Sequence, residues 1–275
     1  MNPKTLQLLR LVVVKMTGVF VLNFFGGSSA CQAGAGMENL NISYAHAFAI
    51  GVAVVIGLPI SGAHYNPVVT VCGLLLGAET LQSGSILILG QLLGSFLSGV
   101  ALKYSQPEPF KGKGLGYPNV PEGTSLPQAF FFETIGTFFL IFAIFAVVRA
   151  GYNHFVITLV VIGVLFCIIN SIGPLGQCAL NPARTLGPAL LSDEGFFIRG
   201  WWIYYTASFL GGILGMLFAV FIIEVTPSDG DDSYDDTEEI QQKFKNQKNK
   251  WDTKEQLSHQ ADSSWQSDTV ANFSN

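Results

Sequence analysis

The stretch SGAHYNPVVT, residues 61–70, and its echo GQCALNPART, residues 176–185, each set an Asn-Pro pair in apolar surroundings. Asn66 and Asn181 are each followed by proline and a short apolar run, Val68 to Leu76 in one copy and Ala183 to Leu191 in the other. Proline at the first helical position gives up an N–H that would be unpaired there anyway, and asparagine before it is a strong N-cap. Both pairs therefore predict the start of a short helix. About ten residues of helix rise roughly 15 Å, half of a hydrocarbon core of about 30 Å, so neither spans a bilayer alone, whereas two meeting end to end do.

The residues before each cap, Gly62-Ala63-His64 and Gln177-Cys178-Ala179, read as irregular backbone. At membrane depth such backbone is tolerated only where it lines a wet cavity or is buried in protein. This points to a pore whose wall includes these loops.

With 49% hydrophobic and 12% charged residues and a mean hydropathy of +0.43, the chain is too apolar for an ordinary soluble domain of its length. Six segments are long enough to span: Leu6–Gly27, Tyr44–Leu58 with its flanks, Thr80–Tyr104, Gln128–Ala150, His154–Ile172 and Trp201–Val225. The first is too long for a signal-peptide core and ends without a small-residue cleavage site, so it reads as retained. The expected organisation is an all-α transmembrane domain over 1–226, followed by a tail over 227–275. That tail carries 11 acidic and 5 basic side chains, a net of −6 against −5 for the whole chain. It has too little apolar surface to offset its ordering entropy and reads as disordered, with at best a nascent helix near Glu238–Lys250.

Six spans put both termini on one side. Lys4, Arg10 and Arg149 favour the cytoplasm for them, while Lys103, Lys111 and Lys113 argue the other way. In the first orientation the Asn41 sequon falls in an outer loop and is open to glycosylation, and the Asn272 sequon is silent. The four cysteines, Cys31, Cys72, Cys167 and Cys178, have no paired metal-type spacing. With no Ser/His/Asp arrangement and no phosphate loop either, no catalytic residue, cofactor, metal or nucleic-acid partner is expected.

The two Asn-Pro pairs lie 115 residues apart, and the likeness extends around them. KMTGVFVLNF from Lys15 and ETIGTFFLIF from Glu133 share Gly18/Gly136, Phe20/Phe138, Leu22/Leu140 and Phe24/Phe142, while QLLGSFL from Gln91 aligns with SFLGGIL from Ser208. The repeats cover about 6–104 and 128–226. Three spans per repeat is odd, so the second copy enters from the opposite side, and sites between inverted repeats lie near the midplane. Gly18, Gly94, Gly99, Gly136, Gly211, Gly212 and Gly215 would let neighbouring helices approach closely.

These residues resemble the aquaporin, or major intrinsic protein, family over roughly residues 6 to 225. The resemblance implies six tilted helices, two re-entrant half-helices, and a homotetramer with a pore in each subunit. AHAFAIGVAV, residues 45–54, looks most like the plant tonoplast subgroup. Counting from the motifs, the family's selectivity filter falls on His46, Ile169, Cys178 and Arg184, and its central constriction on Asn66, Asn181, Val68 and Ala183. A filter of His, Ile, a small residue and Arg resembles members associated with water and ammonia; Thr185, Ala189, Tyr204 and Tyr205 resemble the water-type pattern. Two departures stand out. Val68 replaces the usual Ala, and Lys15 stands where the family has a buried Glu, whose counterpart Glu133 is present. An unpaired ammonium inside the bundle is costly, so Lys15 either snorkels to the cytoplasmic side or meets a carbonyl or carboxylate.

The function expected is passive conduction of water and small neutral solutes across a lipid bilayer, with ammonia, hydrogen peroxide and urea as candidates and protons and ions excluded. A glycerol-conducting channel is the alternative. A coupled secondary transporter using Lys15 and Glu133 is a second, and a scaffold with an occluded pore a third. The plasma membrane and a vacuolar or other intracellular membrane both remain open as locations.

Overall fold

The computed structural model describes residues 2–33, 39–107 and 114–224. Six long helices, α1 (Pro3–Ala33), α2 (Asn39–Ser61), α4 (Leu81–Ser105), α5 (Leu126–Arg149), α6 (His154–Gly176) and α8 (Ile203–Glu224), are each long and apolar enough to cross a membrane. Between them lie two short ones, α3 (Pro67–Leu75) and α7 (Pro182–Leu191). No strand occurs among the described residues, and residues 2–148 with 152–224 form one compact unit. The tail 227–275, Lys111, Lys113 and Asn272 lie outside the described residues.

Local chemistry sets several helix starts. Thr80 and Ser83 form a reciprocal capping box on α4, with Thr80 Oγ1 accepting from the Ser83 N–H at 3.1 Å and Ser83 Oγ from the Thr80 N–H at 3.0 Å. Asn153 caps α6 through Val156 N–H at 3.0 Å. In α2 the flanks of the expected Tyr44–Leu58 segment are helical on both sides, back to Asn39 and on to Ser61. The Asn39 amide donates to the carbonyls of Ile169 and Asn170 on α6, at 3.1 and 3.0 Å, and this anchor carries the helix further back. The Asn41 sequon therefore sits in a helical turn, and its Ser43 is buried with its hydroxyl donating to Asn39 O, not displayed on a loop.

Helix packing repeats across the two halves. A Cβ on Gly94 of α4 would overlap the Met16 carbonyl of α1, and a Cβ on Gly211 of α8 would overlap the Thr134 carbonyl of α5. Each bare glycine lets two backbones touch, which is how helices gain van der Waals contact where lipid supplies no hydrophobic drive. The half-helices are held the same way, with Gly187 of α7 against Ser95 O of α4 and Gly212 of α8 against the Val68 side chain of α3. On the outside, large apolar side chains such as Phe48, Ile56, Phe131 and Phe155 are more than half exposed, as a surface facing acyl chains requires.

Candidate functional site

The two half-helices begin face to face. The Asn66 side chain accepts from Val68 N–H at 2.9 Å, and the Asn181 side chain accepts from Ala183 N–H at 2.9 Å and Arg184 N–H at 3.3 Å, so each oxygen caps its own helix. The amide nitrogens reach across. Asn66 Nδ2 donates to Leu180 O at 2.7 Å, and Asn181 Nδ2 donates to Tyr65 O at 2.9 Å. Each asparagine thus binds the carbonyl of the residue preceding the other. An amide carries two N–H groups, so one remains on each side chain after the cross-bond.

The loops that deliver these caps are strained. Ala63, Gln177, Cys178 and Leu180 all have positive φ, between 39° and 66°, although none is glycine. Such conformations persist only where surrounding contacts over-determine them. On the second loop Glu133, fully buried, accepts from Ala179 N–H at 2.8 Å, Leu180 N–H at 2.6 Å and Ser208 Oγ at 2.6 Å. On the first, Gln91 Nε2 donates to His64 O at 2.7 Å and to Thr70 Oγ1 at 2.9 Å. Lys15 does not snorkel: it has no exposed surface, its Nζ donates to Ser61 O at 2.5 Å, and the ammonium lies 5.5 Å from the centre of the Tyr65 ring.

One continuous cavity of about 230 Å³ runs past both caps. At the end away from the termini it passes His46, Ile169, Cys178 and Arg184. His46 Nδ1 bonds Ile42 O at 2.9 Å, which makes that nitrogen the donor and leaves Nε2 to accept from Arg184 Nη2 at 3.2 Å. Arg184 Nη1 is buried without a protein partner. At the midpoint the wall is formed by Ala63, His64, Asn66, Ala179 and Asn181, with Gly62 beside them. Toward the termini it becomes apolar, with Val54, Leu58, Ile144, Val148 and Val161. In the connection after α4, the Tyr117 hydroxyl donates to Glu194 Oε2 at 3.1 Å, and burial pushes that phenol up to about 12.

Three expected wall residues stand off the cavity. Val68 is fully buried behind α3, packed on Gly212 and Ile141, so the larger side chain fills a helix contact and not the constriction. Ala183 is likewise fully buried, in a core that draws on α1, α2, α5 and α6. Gln177 is exposed and closes α6 as a left-handed C-cap, its N–H bonding Gly173 O at 2.7 Å. Thr185, Ala189, Tyr204 and Tyr205 line a separate small pocket. Conversely, Tyr65, Gln91, Asn23 and Ser208 do more than the sequence suggested. Asn23 Nδ2 donates to Ala183 O at 3.3 Å from α1, and Tyr65 O receives the Asn181 amide. For Asn23, Gln91 and Ser208 the signal is polarity inside an apolar span; Tyr65 lies in the loop before the cap.

The bundle and its paired half-helices are those of a membrane channel with a pore between inverted repeats. Residues 2–219 match the family described as Major intrinsic protein, and the chain belongs to that family. It is 33% identical over 188 residues to Aquaporin TIP1-1 of Arabidopsis thaliana, covering 66% of this chain and 71% of that one. It is 34% identical over 201 residues to the probable aquaporin TIP-type RB7-5A of Nicotiana tabacum, covering 70% and 76%. The crystal structure of the aquaglyceroporin from Plasmodium falciparum shares the fold at a TM-score of 0.68 and 21% identity, over 79% of this chain and 96% of that one.

Proposed function

We propose that the chain is a passive channel for water and small neutral solutes, ammonia foremost and hydrogen peroxide or urea beside it, that excludes protons and ions. The observation that carries this reading is the pair of amide N–H groups left on Asn66 and Asn181 after their cross-bonds, both on the cavity wall. A water accepting from both turns its own hydrogens outward, one toward each mouth. Neighbouring waters then accept from it and donate nothing back, so the chain along which a proton hops is broken. The positive ends of α3 and α7 meet at the same point, and Arg184 adds a full charge at the neck; both repel cations.

Ile169 supports the wider solute list. It adds an aliphatic side chain to the lining that holds the His46–Arg184 pair, leaving a neck less uniformly polar. The location that fits the tonoplast-type relatives is a vacuolar or other intracellular membrane, with the plasma membrane as the alternative, cytoplasmic termini, and a homotetramer as the assembly. Stopped-flow shrinkage of vesicles holding purified protein tests the reading, run with water, ammonia, urea and glycerol in turn. Fast water flux without proton current supports it. Glycerol flux as fast as water makes the chain a polyol channel, and a saturating flux that depends on a coupling ion rejects a channel altogether.

A further inference from the structure

Lys15 and Glu133 occupy matching positions in α1 and α5, and neither has exposed surface. Their chemistry is opposite. Glu133 holds the second re-entrant loop by two backbone N–H groups, those of Ala179 and Leu180. The matching groups in the first loop are the N–H groups of His64 and Tyr65, for which no protein acceptor is found among the described residues. An ammonium has only donors and cannot take them. Lys15 instead reaches Ser61 O, the carbonyl of the last residue of α2, at 2.5 Å.

That carbonyl suits a cation. The last four carbonyls of a helix have no partner within it, and together they form the negative end of its dipole. Immediately beyond come Gly62 and Ala63, both with positive φ, then His64 and Asn66 on the cavity wall. The ammonium also faces the Tyr65 ring, and Glu79 is the acidic group whose field acts on it. Gln91, next to the Gly90 that packs on Lys15 Cβ, grips the same loop through His64 O. The loop is thus clamped at two carbonyls, one from α1 and one from α4.

We propose that Lys15 is a positioning residue for the permeation path, a charge-inverted counterpart of Glu133 that holds the first loop by a carbonyl where the second is held by its N–H groups. This rests on the channel reading. Lys15 touches no permeating molecule; it sets where His64 and Asn66 stand.

The test uses the full chain in proteoliposomes, with water permeability per protein copy and its activation energy measured for Lys15→Met, Lys15→Arg and Lys15→Glu. Methionine keeps the length of the stem but cannot donate. Its permeability should fall about tenfold, on the scale of losing a hydrogen bond to a charged group, and its activation energy should rise toward that of bare lipid. Arginine still donates to Ser61 O and should stay within about twofold of the wild type. Glutamate should also recover conduction, because it can accept from the His64 and Tyr65 N–H groups as Glu133 does in the other repeat. Wild-type flux in Lys15→Met overturns the proposal, as does an Arg or Glu variant no better than Met. If Lys15→Met does not insert, the other two decide: both must conduct near the wild-type level. A wild-type chain without water flux would instead refute the channel reading.

Discussion

Asn66 and Asn181 are tied to each other's loops: each amide nitrogen donates to the carbonyl just before the other asparagine, at 2.7 and 2.9 Å. The bonds close a ring through the first residues of both half-helices. Each asparagine is at once a helix cap, a bridge between repeats and a donor on the cavity wall. Replacing Asn181 by Ala removes the cap of α7 and leaves Tyr65 O buried without its partner. The expected loss is about 1–3 kcal/mol of stability. It should appear as earlier thermal unfolding in detergent together with lower water permeability per copy.

Glu133 is the acceptor for three donors, two at Oε1 and one at Oε2, so both oxygens are engaged. Glu133→Gln turns one acceptor into an NH2 that faces another donor. About 1–3 kcal/mol should be lost, as for any buried donor left unsatisfied. Thermal unfolding measures the loss, and Ser208→Ala, which removes only the hydroxyl donor, should cost clearly less.

His46 orients Arg184 by accepting from it. Truncation by His46→Ala opens the neck and frees the guanidinium, and Arg184→Ala removes the charge outright. Both variants should admit urea and glycerol faster while water flux stays within about threefold, since the constriction at the caps is untouched. Vesicle shrinkage with each solute reads this out. Unchanged selectivity in both variants places the filter elsewhere.

Cys178 lies on the cavity wall, whereas Cys72 is buried in the contact between α3, α5 and α8. A small mercurial entering from the filter end should block water flux by capping the Cys178 sulfur. Cys178→Ser should conduct normally and resist the block. Persistent block in that variant assigns the sensitivity to another thiol.

Gly94 and Gly211 are contact points between helix backbones. Gly94→Val and Gly211→Val would each force a carbonyl away, and overpacking of this kind costs about 1–3 kcal/mol. Parallel losses of folded yield for the two variants are expected from the internal two-fold relation.

Much of this was written in short-range patterns. The Asn-Pro pairs specify the half-helices because capping and the missing proline N–H act within a few residues, and the spans follow from length and apolarity alone. The repeat is read from the matching Asn-Pro segments, and its inversion from the odd number of spans per copy. His46, Cys178 and Arg184 were placed by resemblance, and the cavity passes all three. Val68 is placed at the constriction by the same resemblance, and Gln177 on the wall by its irregular loop backbone, yet one turns into a helix contact and the other caps α6. The direction of a side chain around its helix depends on which neighbour leaves room for it.

The chain's own order of residues was enough to dictate the membrane class, the half-helices and the inverted duplication, because each rests on chemistry local in sequence. The cross-bond from Asn66 to Leu180, the reach of Lys15 to Ser61 and the meeting of His46 with Arg184 join residues far apart in the chain. Those contacts exist only once glycines such as Gly94 and Gly211 have let the helices close, since hydrogen bonds act over about 3 Å and close packing sets which groups come that near.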